Sequence, residues 1–191
     1  MHVRTMSAND EAAAIDTIAL AFAADPVSRW FWPHAHQFLT AMPPFIHAFA
    51  GTAFAQESAF CTSDHTGVAL WLPPGAHPDS DRMDEIMAST ASAAARADGP
   101  AIFEQMAKFH PPEPHWYLPF IAVDPAWHGK GHGDALMTCS LARCDRDKLP
   151  AYLESTNPRN ITLYQRHGFE SLSEIQVGSS PPLVPMLRHA R

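Results

Sequence analysis

The stretch Val123-Asp-Pro-Ala-Trp-His-Gly-Lys-Gly-His-Gly-Asp-Ala-Leu136 constrains this chain more than any other. An apolar run from Trp116 to Val123 leads into Asp124-Pro125. Gly129, Gly131 and Gly133 then alternate with polar residues, and an amphipathic helical pattern follows. A strand, a glycine turn and a helix in that order leave backbone N–H groups free at the helix start. Such groups bind anions, phosphates above all. The segment is not a Walker A loop, because Gly131 follows Gly129-Lys130 where a hydroxyl residue is needed for magnesium. Nor is it a dinucleotide fingerprint: counted from Gly129 the sixth position is Asp134, and counted from Gly131 it is Leu136.

Composition narrows the remaining classes. A chain of 191 residues with 46% apolar content is long enough for one domain with a proper core. Its formal charge is −7 and it has no basic run, which argues against nucleic-acid binding and suits a cationic amine. No apolar run approaches a membrane span, and Met1-His-Val-Arg is not followed by a signal-peptide core, so a cytoplasmic home is expected. Cys61, Cys139 and Cys144 are odd in number and lack metal-knuckle spacing. His128 and His132 are four apart, but no acidic or cysteine partner lies within the turn, so no metal is expected.

Periodicity predicts strands over 2–5, 59–63, 68–72, 116–123, 151–155, 169–177 and 183–187. It predicts helices over about 8–24, 36–49, 83–98, 102–109, 131–148 and 158–167. Residues 29–33 read as an aromatic loop, and Pro43-Pro44 as a bend. Pro119 inside the central strand calls for a bulge or a break in pairing. The order implies an α/β or α+β fold with a mixed sheet and a crossover helix between the strands near 120 and 153.

Read as (Gln/Arg)-x-x-Gly-x-Gly, residues 128–133 resemble the acyl-CoA turn of the GNAT superfamily of N-acyltransferases. Asn157-Pro-Arg-Asn-Ile-Thr-Leu-Tyr164-Gln-Arg-His-Gly-Phe169 resembles that family's second motif, and Phe120-Ile-Ala-Val-Asp-Pro125 its pantetheine-binding strand. The likeness covers roughly residues 115–170. Segments 114–118, 153–156 and 158–160 are similar to the puromycin N-acetyltransferase-like branch. His128, His132 and Asn160 depart from the usual residues at their positions, but backbone amides carry the anion contact and any residue supplies those.

The resemblance implies a single GNAT-type domain over 1–191, with a mostly antiparallel central sheet flanked by helices on both faces. The activity it implies is transfer of an acetyl group from acetyl-CoA to a primary amine, directly and without metal. His128, Gly129, Lys130, Gly131, His132, Gly133 and Asp134 would hold the pyrophosphate. Ile121, Ala122 and Val123 would offer backbone to the pantetheine arm, with the N–H of Ile121 or Val123 facing the thioester oxygen. Asn157 and Asn160 would contact the cofactor or the turn; capping is the alternative for Asn157. Tyr164 would protonate the departing thiolate and Glu154 would take the ammonium proton, with Glu113 and His115 as runners-up for the base. Trp30, Phe31, Trp32 and Trp71 are core residues or walls of the acceptor pocket. The acceptor is expected to be a small-molecule amine, with a homodimer as a possible assembly. The alternatives are a protein or peptide N-acetyltransferase and an acyl-CoA-binding sensor without turnover.

Overall fold

The computed structural model describes residues 1–191. Its seven strands are β1 (Val3–Thr5), β2 (Ala59–Thr62), β3 (Gly67–Leu72), β4 (Trp116–Val123), β5 (Ala151–Ser155), β6 (Glu170–Ser171) and β7 (Val184–Arg188). They form one sheet in the order β1-β2-β3-β4-β5-β7-β6. The β4–β5 pair is parallel and every other pair is antiparallel. Helices α1 (Glu11–Phe22), α2 (Pro26–Phe31), α3 (Ala35–Ala50), α4 (Thr52–Ala55), α5 (Ser80–Thr90) and α6 (Ala93–Phe109) precede β4. Helices α7 (His132–Asp147) and α8 (Ile161–Arg166) flank β5 in sequence.

The sheet has an apolar core on each face. On one side Ile18, Phe38, Ile46 and Ile102 from the N-terminal helices pack on Leu70, Phe120 and Ala122. On the other, Leu136, Met137, Leu141 and Cys144 of α7 pack on Ala69, Trp116, Leu118 and Leu153. Ser140 completes that α7 stripe and satisfies its buried hydroxyl on Leu136 O at 2.8 Å.

Beyond the short α4, which no sequence signal announced, four elements differ from the sequence reading. Residues 29–31 belong to α2 rather than to a loop. Asp25 accepts from Ser28 N–H at 2.9 Å, Pro26 occupies the first turn, and Val27 and Phe31, four apart, face the core. The break expected near Gly99-Pro100 lies instead at Ala91–Ser92, where Ser92 accepts from Ala95 N–H at 3.1 Å. The helix then runs through Pro100, because Gly99 lies close against Phe31 and tertiary packing outweighs the lost donor. The segment 158–167 splits into a 3-10 turn over Pro158–Asn160 and α8. The strand expected over 169–177 shrinks to two residues and an isolated Ile175–Leu183 bridge. There Pro185 accepts from Leu172 N–H at 2.9 Å but has no N–H to return.

Pro119 rephases β4. Between Leu70↔Phe120 and Leu72↔Tyr117, β4 holds one residue more than β3, which is a bulge. Before it, Trp116 N–H points at β5, donating to Pro150 O at 2.9 Å. After it, Asp124 N–H points at β3, donating to Thr66 O at 2.8 Å. Strand alternation then sends the amides of Phe120 and Ala122 to β3, and those of Ile121 and Val123 away from it. They point into a gap, because β4 and β5 pair only at Trp116↔Ala151 and Tyr117↔Tyr152 before they part.

Candidate active site

A cleft of about 560 Å³ opens at this gap, between the end of β4, the turn before α7, the end of β5 and α8. It brings together Ile121, Ala122, Val123, His128, Gly129, Gly131, His132, Gly133, Asp134, Glu154, Asn157, Asn160 and Tyr164. Lys130 is absent from its lining. Its Nζ bonds Ala126 O at 3.1 Å and lies 4.3 Å from the Trp127 ring centroid, so the charge is engaged by the segment just before the turn.

The turn is built for an anion. Gly129 and Gly131 have φ of +73° and +84°, a left-handed conformation that a side chain disfavours. The amides from Gly129 to Asp134 have no acceptor in the protein; the ladder of α7 starts with Ala135 N–H to Gly131 O at 3.0 Å. Consecutive unpaired N–H groups at the start of a 16-residue helix concentrate positive potential there.

The atypical histidines line the cleft and brace this turn through their rings. His128 Nε2 lies 2.9 Å from Val123 O. His132 is buried, with Nδ1 3.0 Å from Thr66 Oγ1 and its ring against Trp127. Asp134, whose charge would oppose a pyrophosphate, has its carboxylate 2.9 Å from His167 Nε2. Asn157 is occupied as a cap, accepting from Arg159 N–H at 3.1 Å. In each case the side chain serves the fold, and for His132 and Asp134 the backbone N–H is left without a protein acceptor. Ala122, by the same alternation, turns its backbone to β3, so the backbone available from β4 is that of Ile121 and Val123.

Tyr164 is buried beside the cleft. Burial, and next the nearby Asp25 carboxylate, hold its phenol far above the usual range, against a smaller pull from Asn160. Asp25 also lines the cleft. Sequence reading treats it only as a helix stop; its place here becomes visible once α2 folds back and Thr156 Oγ1 donates to it at 2.6 Å. Burial raises its carboxyl pKa, with the Thr156 hydrogen bond the largest opposing influence.

Glu154, on β5, has a side chain only 3% exposed. It lines both the cleft and a smaller apolar chamber of about 70 Å³ walled by Phe22, Trp32, Phe45, Phe49 and Tyr117. That chamber shares Phe49, Phe103, Met106 and Tyr117 with an outer hollow of about 1020 Å³. Of the runners-up, Glu113 and His115 line the outer hollow rather than the cleft. Trp71 is a core residue, whereas Trp32 and Phe31 wall the chamber. Cys61 and Cys144 are buried, and burial pushes both thiols up, Cys144 to about 12. No group of three or more His, Cys, Asp or Glu side chains is placed to hold a metal ion, and no helix is long and apolar enough to cross a membrane.

Comparison with known proteins agrees with this geometry. A family model described as an acetyltransferase (GNAT) domain matches residues 93–171. A solved Corynebacterium glutamicum protein, described as histone acetyltransferase HPA2 and related acetyltransferase, superposes with a TM-score of 0.69. Its identity is 26%, over 99% of this chain and 96% of that one. The chain has the GNAT acetyltransferase fold. Arylalkylamine N-acetyltransferase 2 of Aedes aegypti shares it, with a TM-score of 0.67 and 15% identity over 100% and 99% of the two chains. An uncharacterized N-acetyltransferase of Schizosaccharomyces pombe is 24% identical over 97% of this chain and 81% of its own. Fold and domain match together support an enzyme of the acetyltransferase class, and the matched span contains the bulged strand, the amide turn and Tyr164.

Proposed function

We propose that the chain transfers the acetyl group of acetyl-CoA directly to the primary amine of a small, partly apolar acceptor. The observation that carries this reading is the run of unpartnered amides from Gly129 to Asp134 at the mouth of the β4–β5 gap. The run suits a diphosphate, and the N–H groups of Ile121 and Val123, turned away from β3, suit the amide-bearing arm beyond it.

Each chemical requirement has a group in the cleft. An N–H of Ile121 or Val123 would stabilise the negative charge that grows on the thioester oxygen. Glu154 would take the ammonium proton, leaving a neutral amine to attack. The departing thiolate would take its proton from Tyr164. Burial and the Asp25 charge keep that phenol neutral, the form an acid must have. The small aromatic chamber beside Glu154 favours a flat apolar amine over a peptide laid across the sheet. The relative described as an arylalkylamine N-acetyltransferase fits the same chemistry. The finer likeness to the puromycin N-acetyltransferase-like branch rests on its three short segments.

The test combines calorimetry for CoA and acetyl-CoA with turnover on 2-phenylethylamine, a polyamine and a lysine peptide. Binding of both nucleotides and preferred turnover of the aromatic amine are expected. In Tyr164→Phe, kcat should fall by about 10²-fold while the heat of CoA binding persists. Binding without turnover of any amine would favour the sensor reading, and no binding at all would end both.

A further inference from the structure

Glu154 is not isolated. Its Oε1 has no hydrogen-bond partner, and His110 Nε2 lies 3.4 Å away. His110 Nδ1 lies 3.0 Å from His115 Nε2, and His115 Nδ1 lies 2.9 Å from Glu113 O. His110 closes α6 and His115 precedes β4. Pro111, Pro112 and Pro114 stiffen the loop between them. We propose that these groups form a relay in which His110 receives the acceptor's proton from Glu154 and His115 holds His110 in the one tautomer able to receive it. The inference rests on the reading of Glu154 as the base and adds two residues to it.

Hydrogen-bond accounting fixes the direction. A backbone carbonyl only accepts, so His115 Nδ1 carries the hydrogen toward Glu113. Burial holds the His115 imidazole below its usual range and so keeps it neutral. Its Nε2 is then a lone pair, and the contact with His110 requires the hydrogen on His110 Nδ1. In neutral His110 that leaves the Nε2 lone pair facing the Glu154 carboxylate, two acceptors with room for one proton between them. The surroundings supply no cation to fill that place. Tyr117 of β4 and Tyr152 of β5 face the carboxylate with phenols held far above their range, by burial first and then by the Glu154 charge. Their rings also hold the His110 ring, with centroids 4.7 and 4.3 Å away.

The step balances without a further reactant. The ammonium N–H breaks as a Glu154 O–H forms. That O–H breaks as an N–H forms on His110 Nε2, giving an imidazolium beside a restored carboxylate. His110 is 28% exposed and lines the outer hollow, where water takes the proton and resets both groups. His77 and Asp84 line that same hollow, and neither is bonded to the relay. His110 and His115 are therefore positioning residues: they touch neither acceptor nor thioester.

The experiment uses acetyl-CoA and 2-phenylethylamine with His110→Ala, His110→Gln, His115→Gln, His115→Phe and Glu154→Gln. Melting temperature and CoA heat are measured on each, and only variants that keep both are compared. His110→Ala and His110→Gln should lower kcat by about 10²-fold with little change in KM for acetyl-CoA. Added imidazole should restore His110→Ala through the hollow. A glutamine side-chain carbonyl can accept from His110 Nδ1–H, so His115→Gln should stay near wild type while His115→Phe falls. Full activity in both His110 variants, or a loss in His110→Ala that imidazole leaves untouched, overturns the relay. If that happens while Glu154→Gln is inactive, the base reading survives alone. Full activity of Glu154→Gln overturns both.

Discussion

Replacing Gly131 by alanine isolates what the turn contributes. A Cβ built at Gly131 meets nothing within 4 Å, so the substitution adds no clash. What it adds is conformational: φ of +84° costs an L-residue about 1–2 kcal/mol. The protein can meet that cost in two ways. If the turn keeps its shape, folding stability falls by that amount and CoA affinity is unchanged. If the turn relaxes, stability is kept and the amides lose their aim. The loss in affinity is still bounded, because the bound shape can always be recovered at the cost of the same strain. At 1.4 kcal/mol per tenfold, the ceiling is roughly 5- to 30-fold in Kd. Calorimetry with CoA and a denaturant melt on one sample should give a sum near 1–2 kcal/mol. Gly133→Ala is the comparison. It lies in α7 without a left-handed φ, so no backbone strain is added. Its Cβ would sit 3.2 Å from the Leu163 Cδ2 methyl, the end of a flexible side chain that has only to give by a few tenths of an ångström, and binding should lie closer to wild type. A Gly131→Ala protein as stable and as tight as wild type would refute the claim that the left-handed turn aims the amides. A thousandfold loss would refute the open space around it.

Two acid–base predictions follow from carboxylates of opposite character. Burial raises the Asp25 pKa in the folded state, so Asp25 costs stability as pH rises from its unfolded value through the raised one. Asp25→Asn can keep an acceptor for Ser28 N–H and bond Thr156, and denaturant melts across that window should show it gaining on wild type as pH rises; a constant difference would refute this. Asp64 is the reverse. Hydrogen bonds from Thr66 and then Thr62 depress its pKa to about 2, so its contribution is full above the unfolded value and disappears as pH falls toward 2. Asp64→Ala should show a shallower acid loss of stability over that range, measured by melting at graded pH.

Much of the fold was legible because its signals are local. The amide turn announces itself through glycines that only a left-handed turn requires, and Pro119 announced a bulge because it cannot donate to a ladder. The resemblance added Tyr164, which periodicity alone leaves as a packed helix residue. What stayed hidden is tertiary. Residues 29–31 look like an aromatic loop until Asp25 caps them, and α6 survives Pro100 because Phe31 packs on Gly99. Asp25 and His110 are far in sequence from the motifs and reach the site only through folding. The side chains of His128 and His132 carry no sign in one sequence that they bond inward, although the turn that contains them was plain, whereas Asn157 before Pro158 already offered itself as a cap.

The extra residue at Pro119 lets one strand serve two neighbours in succession. Its first half is stitched to β5, and its second half offers the same edge to whatever enters. The two wings of the sheet, β1 to β4 and β5 to β7, therefore share a seam of two residue pairs, open at one end. A thioester arm lying along that opening would take the place of the missing rungs. Occupancy would thus draw the wings together as well as deliver the acyl group.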